Sequence, residues 1–207
     1  MRLEVRPRMS NRADPFEWGG GHPALDLVNT LDERPSGCPV ENLTTYCDLL
    51  RFIELAGLTE SPVATRLRLD DRTCSRVVNR TRKLREHLHA VLAAAHSRRP
   101  VPQHHLDAIS AAVQAAHAAR VLVTTASPGL ASQRWSSPLA ADVPLHACAL
   151  AVEELLIDTD RRRIRKCGAS DCDVYYVDTS KGQHRRWCSM KGCGNRQKQR
   201  RWRSATP

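Results

Sequence analysis

The chain has 207 residues, of which 41% are hydrophobic and 26% charged, as is typical of a globular protein rather than a disordered or fibrous one. That length accommodates one main domain and a small second one. No run approaches the roughly 18 apolar residues that a membrane span needs, and the first residues, MRLEVRPRMS, lack the apolar stretch of a signal peptide. We therefore expect a cytoplasmic protein with no membrane partner.

The first 160 residues carry periodic patterns that predict five helices and one hairpin. In chain order the predicted helices cover Ala24–Leu31, Leu43–Leu55, Asp71–His96, a segment that starts near Pro102, and Ala141–Ile157. A β-branched run, Arg120–Thr125, is followed by a turn signal at Ser127-Pro128-Gly129 and then by Leu130–Ser136, which predicts a β-hairpin. This part of the chain therefore predicts a helical domain with one small hairpin.

The basic charge of the chain is concentrated in its last quarter. Residues 161–207 contain 14 basic and 3 acidic residues, a surplus of 11, whereas residues 1–160 contain 18 basic and 19 acidic ones. Such an asymmetry indicates a polyanionic partner. The alternative is a solubilising tail, but such a tail would not also carry regularly spaced cysteines.

Four of the eight cysteines form two evenly spaced pairs in this basic segment. Cys167 and Cys172 are separated by four residues, and so are Cys188 and Cys193, with fifteen residues between the pairs. Four thiolates brought together by two short loops are the ligands of a structural zinc site. Because a cytoplasmic chain keeps its thiols reduced, disulfides are the less favoured reading, and so is a site in which His184 replaces one cysteine. Four protein ligands also leave zinc no open position for catalysis.

The zinc ion is expected to organise a segment that has almost no apolar core of its own. Domains below about 40 residues usually need a metal or a disulfide, and zinc supplies roughly 10–16 kcal/mol in small finger peptides. Val174–Val177 predicts a strand, with Arg185–Trp187 as a possible returning arm. Ser189 predicts a helix start, with Cys193 in the first turn. The resulting layout is a small treble-clef-like or ribbon-like zinc module with four cysteine ligands.

The terminal helix, expected at Cys193–Arg203, has basic residues on more than one face and so favours contact with phosphates. Trp202 is expected to cover the metal module rather than to stack on a base. The candidate nucleic-acid-binding residues are Arg185, Arg186, Asn195, Arg196, Lys198, Arg200, Arg201 and Arg203.

Two motifs connect these observations to a known family. Cys193-Gly194-Asn195-Arg196 is a CGNR tetrapeptide, and DTSKGQHRRWCSMKGCGNRQKQRRWR is similar to the C-terminal module of the CGNR zinc-finger family. The N-terminal ABATE domain of that family opens with a stretch like Gly20–Thr30, GGHPALDLVNT. The resemblance spans about residues 18–203 and implies an ABATE-like sensor domain at 18–158, a zinc finger at 161–207 and one structural Zn²⁺. It also implies a stress-related transcription regulator, with RNA binding as an alternative.

The N-terminal motif places three polar residues at steps of four and three, so that a helix would present His22, Asp26 and Asn29 on one side. They could line the pocket of a small-molecule effector, but helix capping together with a buried hydrogen-bond network that fixes the glycine-rich loop is favoured. We expect DNA binding ahead of RNA binding, and a homodimer is plausible because one small module has a limited footprint. The chain contains no phosphate loop, no HExxH motif and no nucleophile–base pair, so an enzyme is the least favoured reading.

Overall fold

The computed structural model describes residues 6–7, 16–59, 69–125 and 129–205. Its elements in chain order are β1 (Arg6–Pro7), α1 (Pro23–Asn29), β2 (Leu31–Asp32), β3 (Val40–Glu41), α2 (Tyr46–Leu55), α3 (Asp71–His96), α4 (Gln103–Ala118), β4 (Arg120–Thr124), β5 (Ala131–Trp135), α5 (Val143–Asp158), β6 (Ile164–Lys166), β7 (Tyr175–Val177) and α6 (Asn195–Ala205). A π-helical turn, Met190–Gly194, leads directly into α6. The predicted α-rich fold with small hairpins is confirmed.

The described chain forms two compact units. The first combines the residues up to Thr44 with those from Leu155 onward, and the second runs from Thr45 to Glu154. The domain boundary predicted near residue 160 follows the order of the motifs along the chain. In the structure, the segment of α1 belongs instead to the unit that carries the two evenly spaced cysteine pairs. The physical reason is that α1 packs against β7 in the first unit.

The second unit consists mainly of long helices with caps that the sequence encodes. α3 begins and ends at the predicted residues, and the carboxylate of Asp70 accepts a hydrogen bond from the Thr73 amide at 2.8 Å to cap its start. α2 starts three residues later than predicted because Thr45 and Asp48 form a capping box. Apolar residues on one face of these two helices are fully buried, among them Leu49, Phe52, Ile53, Val77 and Leu88.

The predicted hairpin is also present in the second unit. β4 and β5 pair antiparallel, from Arg120 opposite Trp135 to Thr124 opposite Ala131. The turn signal predicted at Ser127 and Pro128 lies outside the described residues. Much of β4 is exposed, with Leu122 73% accessible.

The first unit contains two small sheets. β3 lies between β1 and β2, and β6 pairs antiparallel with β7. The strand predicted at Val174–Val177 is therefore present, but its partner is Ile164–Lys166, and not the Arg185–Trp187 arm, which forms no strand. The core of this unit contains Leu25, Leu27 and Val28 from α1 together with Tyr175 and Tyr176 from β7.

Candidate zinc centre and basic surface

The first cysteine pair lies on a tight loop between β6 and β7. The amide of Cys167 donates to the Val174 carbonyl at 2.9 Å, and the amide of Cys172 donates to the Ala169 carbonyl at 3.1 Å, so both cysteines belong to one short turn. Gly168 allows the backbone of Arg186 to approach, because a Cβ atom at residue 168 would lie 3.1 Å from the Arg186 carbonyl oxygen. The loop is thus closed by hydrogen bonds and by close backbone packing.

The second pair flanks the turn that starts the terminal helix. The Ser189 hydroxyl accepts from the Gly192 amide at 3.2 Å, as expected for a helix-capping serine. Cys193 lies inside the π-helical turn Met190–Gly194, and Gly194 packs so tightly that a Cβ atom there would lie 2.9 Å from the sulfur of Met190. The turn places Cys193 at the base of α6, so the helix starts from a ligand position.

The four sulfur atoms converge on one point. All four lie within 4.8 Å of one another, with Sγ–Sγ distances of 3.8 Å from Cys172 to Cys188 and 3.6 Å from Cys188 to Cys193. A tetrahedron of thiolates around zinc, with bonds of about 2.3 Å, has edges of about 3.8 Å. These two distances match the spacing that the ion requires, and the four cysteines form no disulfide, whose S–S bond would be about 2.05 Å. His184 is not part of this cluster.

The pKa values of the four thiols also favour a bound cation. Hydrogen bonds from the thiols of Cys172 and Cys188, and further ones from the backbone amides of Cys188 and Ala169, lower the pKa of Cys167. The hydrogen bond with Cys167 raises the pKa of Cys172 to about 12. The four thiols cannot all ionise side by side without a compensating charge, whereas a divalent cation allows all four to bind it as thiolates.

Trp187, not Trp202, covers the cluster. Trp187 is partly buried and packs against Cys167, Ala169 and Cys193, whereas Trp202 is 72% exposed. The expectation that Trp202 covers the metal module is wrong, because a side chain that covers the module would be shielded from solvent by it, whereas most of the Trp202 side chain is exposed. The sequence alone offers little to separate the two tryptophans, although Trp187 immediately precedes a ligand.

Several of the candidate nucleic-acid-binding residues have structural contacts within the module. The Arg185 guanidinium lies 4.3 Å from the centroid of the Tyr176 ring, and it donates to the carbonyl oxygens of Trp187, at 2.9 Å, and Cys188. Arg196 donates to the Cys193 sulfur at 3.1 Å, and a nitrogen of its guanidinium lies 3.4 Å from the Asp171 carboxylate. Arg200 donates to the same carboxylate at 3.0 Å.

The other candidates face outward. The side chains of Arg186, Asn195, Lys198, Arg201 and Arg203 are exposed. The Arg186 guanidinium lies 5.2 Å from the centroid of the Trp187 ring, and Asn195 donates to the Lys191 carbonyl at 3.4 Å. We call the exposed cations Arg186, Lys198, Arg201 and Arg203 the basic surface.

Two acidic residues that the sequence analysis did not single out organise this module. Asp171 pairs with Arg196 and Arg200, as described above. Asp178 is fully buried and accepts hydrogen bonds from the hydroxyl and amide of Ser180 and from the amide of Arg185. The bonds from Ser180 lower the pKa of Asp178, so it remains ionised and holds the turn between β7 and the second cysteine pair. The Asp-Thr-Ser order at 178–180 was an available signal, since Asp favours such side-chain turns.

The three polar residues of the N-terminal motif all bind backbone. The imidazole of His22 accepts from the Ala24 amide at 3.2 Å and caps α1. The carboxylate of Asp26 accepts from the Gly20 amide at 2.8 Å, and burial raises its pKa to about 6 against the opposing effect of hydrogen bonds from Gly20 and Gly19. The first contact caps α1, and the second fixes the backbone of the glycine-rich loop.

Asn29 joins the N-terminal motif to the cysteine segment. Its side-chain amide donates to the Tyr175 carbonyl at 3.0 Å, and its side-chain oxygen accepts from the Tyr175 amide at 3.1 Å. Beside it, the Val177 amide donates to the Gly20 carbonyl at 2.8 Å. Gly20 and Asn29 together therefore complete the free edge of β7, and we call this set of contacts the Asn29 clasp.

Comparison with known families agrees with these features. The family model described as ABATE, "Putative stress-induced transcription regulator", matches residues 21–159, and that of the CGNR zinc finger matches residues 163–205. No curated protein matches the chain. None of the helices among the described residues is both long and apolar enough to cross a membrane. The four cysteines are thus the ligands of one structural zinc ion, and the chain belongs to the ABATE family and ends in a CGNR zinc finger.

Proposed function

We propose that this chain is a transcription regulator that binds duplex DNA through the basic surface of its zinc finger. The observation that carries the proposal is the exposure of Lys198, Arg201 and Arg203 on a helix that directly follows the turn containing the zinc ligand Cys193. An 11-residue helix this rich in like charges is marginal alone, so the zinc ion stabilises its start and a polyanion its remainder. In this proposal the protein acts in the cytoplasm at the nucleoid and catalyses no reaction.

The contacts of the candidate residues divide them into two groups. The first group makes contacts within the zinc module and consists of Arg185, Arg196 and Arg200. These residues contribute to the electrostatic field and the shape of the module. The cations of the basic surface are exposed, so phosphates can reach them. Arg196 and Arg200 are exposed as well, but their guanidinium groups pair with the Asp171 carboxylate. Asn195, exposed on the first turn of α6, is the residue we assign to a base edge.

The helical second unit is assigned the sensing or dimerisation role in this proposal. The hydrogen bonds of His22, Asp26 and Asn29 go to backbone atoms of the first unit, so we assign those residues a structural role and expect any small-molecule effector to bind elsewhere.

The test is a charge-matched pair of double variants. Lys198→Ala with Arg203→Ala removes two charges from the basic surface, and Arg76→Ala with Lys83→Ala removes two from the exposed side of α3. Each lost phosphate contact makes the negative slope of log K against log salt less steep by about 0.9. The slope should therefore become less steep by about 1.8 in the first double variant and should not change in the second. Zinc content should stay at one ion per chain in both.

Binding of duplex DNA and of structured RNA is measured by fluorescence anisotropy across a salt series. Equal slopes for the two double variants would contradict the assignment of the basic surface. Tighter binding of structured RNA than of any duplex DNA would favour the alternative, in which the same surface serves an RNA-binding protein.

A further inference from the structure

Two histidines of the second unit meet nitrogen to nitrogen where α3 packs against α4. His87 lies in the middle of α3 and His105 in the first turn of α4, and their Nδ1 atoms are 3.0 Å apart. The ring of His104 contacts that of His105, with centroids 4.0 Å apart and the two ring planes tilted by 43°, and His104 is exposed. Three imidazoles therefore share one surface of the helix pair.

The separation of the two nitrogens fits a particular coordination geometry. Histidine nitrogens bind metals such as zinc at about 2.0–2.1 Å, so two nitrogens 3.0 Å apart subtend an angle of about 91–97° at a shared ion. A tetrahedral ion would need them about 3.4 Å apart. An angle near 90° is that of two adjacent positions in a tetragonal or octahedral complex, which Ni²⁺ and Cu²⁺ prefer with nitrogen and oxygen ligands.

The contact between the two nitrogens also leaves one of them without a proton. In the present contact only one Nδ1 can accept, since the other must carry the proton. A metal ion that displaces this proton to solvent would lie to one side of the line between the two nitrogens, about 2.0–2.1 Å from each, and bind the lone pairs of both.

The nearby carboxylates already have partners. Asp107 accepts from Gln103 at 2.9 Å, and Glu86 accepts from the buried Arg85 at 2.8 Å. The remaining coordination positions would thus be filled by water and by the exposed His104 after rotation of its side chain.

We propose that the second unit binds one divalent late first-row transition-metal ion, of the Ni²⁺ or Cu²⁺ class, through the Nδ1 atoms of His87 and His105. This site is separate from the four cysteines and does not depend on nucleic-acid binding. Because its two ligands come from different helices, the ion would cross-link α3 to the start of α4, in the unit to which we assign sensing.

The test is a Ni²⁺ titration of the zinc-loaded full chain by isothermal calorimetry. His87→Gln and His105→Gln each remove one ligand, while His96→Gln changes an exposed histidine at the end of α3 and serves as the control. The unchanged chain and the control should bind about one Ni²⁺ per chain, and each ligand variant should bind at least tenfold more weakly. Circular dichroism and zinc content verify that the variants are folded.

Two results would overturn the site. One is a chain that takes up no Ni²⁺ beyond its zinc, or that binds Ni²⁺ equally well in both ligand variants, in which case the histidine pair is a plain N–H···N hydrogen bond. The other is an intense thiolate-to-nickel charge-transfer band during the titration, which would assign the binding to cysteines.

Discussion

Replacing Asn29 by Ala tests whether the Asn29 clasp stabilises the zinc-finger unit. The substitution removes both hydrogen bonds to Tyr175, whose amide and carbonyl lie in a residue only 2% exposed. A buried polar group left without a partner costs about 1–3 kcal/mol. With two such groups, and with water able to reach the half-buried Asn29 position, we expect a loss of about 2–4 kcal/mol in the free energy of unfolding.

The matched control is Asn79→Ala, which replaces an exposed asparagine on α3 whose side-chain oxygen accepts a long, 3.5 Å hydrogen bond from Arg82. Urea and thermal unfolding are followed at one fixed zinc concentration, because bound metal shifts apparent stability. For a chain of this size, 2–4 kcal/mol corresponds to a decrease in melting temperature of roughly 5–15 °C.

Zinc release to a chelator gives a second readout. Tyr175 follows Cys172 by three residues, so loss of the clasp should accelerate release, while Asn79→Ala should leave the rate unchanged. The reasoning fails if Asn29→Ala lies within about 0.5 kcal/mol of the control, the range of ordinary surface substitutions.

Three further predictions follow from the contacts of the first unit. Chelation of zinc should unfold residues 161–205 while the helical signal of the second unit persists, as measured by circular dichroism and limited proteolysis. Loss of that helical signal, or continued protection of residues 161–205 from protease, would contradict this prediction. Arg196→Ala removes the 3.1 Å contact to the Cys193 sulfur and should accelerate zinc release, whereas Arg203→Ala should not; equal rates would disprove a role for that contact. The pKa of Asp26 is raised from 3.8 to about 6, so its stabilising effect is complete below pH 3.8 and lost as the pH rises through 6. Relative to Asp26→Asn, the unchanged chain should therefore lose up to about 1.4 kcal/mol per pH unit between about pH 4 and 6, and parallel stability curves would refute the raised pKa.

The parts of the fold that local sequence encodes were predictable. The boundaries of α3 follow from an apolar stripe and an Asp cap, and the zinc ligands follow from spacing, because a metal site is specified by a few residues close together in the chain. β4 is likewise encoded by a β-branched run, and the turn signal after it places its antiparallel partner β5.

The parts that depend on distant contacts were not predictable. Nothing in the sequence near Val174–Val177 indicates that β7 pairs with Ile164–Lys166 on one edge and is completed by Gly20 and Asn29 on the other. The bracing contacts of Arg185 and Arg196 were missed for a related reason. An arginine in a basic run looks the same whether its guanidinium faces solvent or a buried carbonyl, so composition alone could not separate the two groups.

The division of the first unit between two stretches of chain has a consequence for synthesis. Asn29 and its partner Tyr175 are 146 residues apart, and the whole second unit is made between them. At about 5–20 residues per second, the ribosome needs roughly 7–30 s to synthesise the chain from Asn29 to Tyr175. Throughout that interval the helical unit can fold, while the N-terminal motif has no strand to pair with. Metal binding would therefore come last on the folding path. A message truncated before β7 would yield a chain without the surface that we assign to nucleic-acid binding.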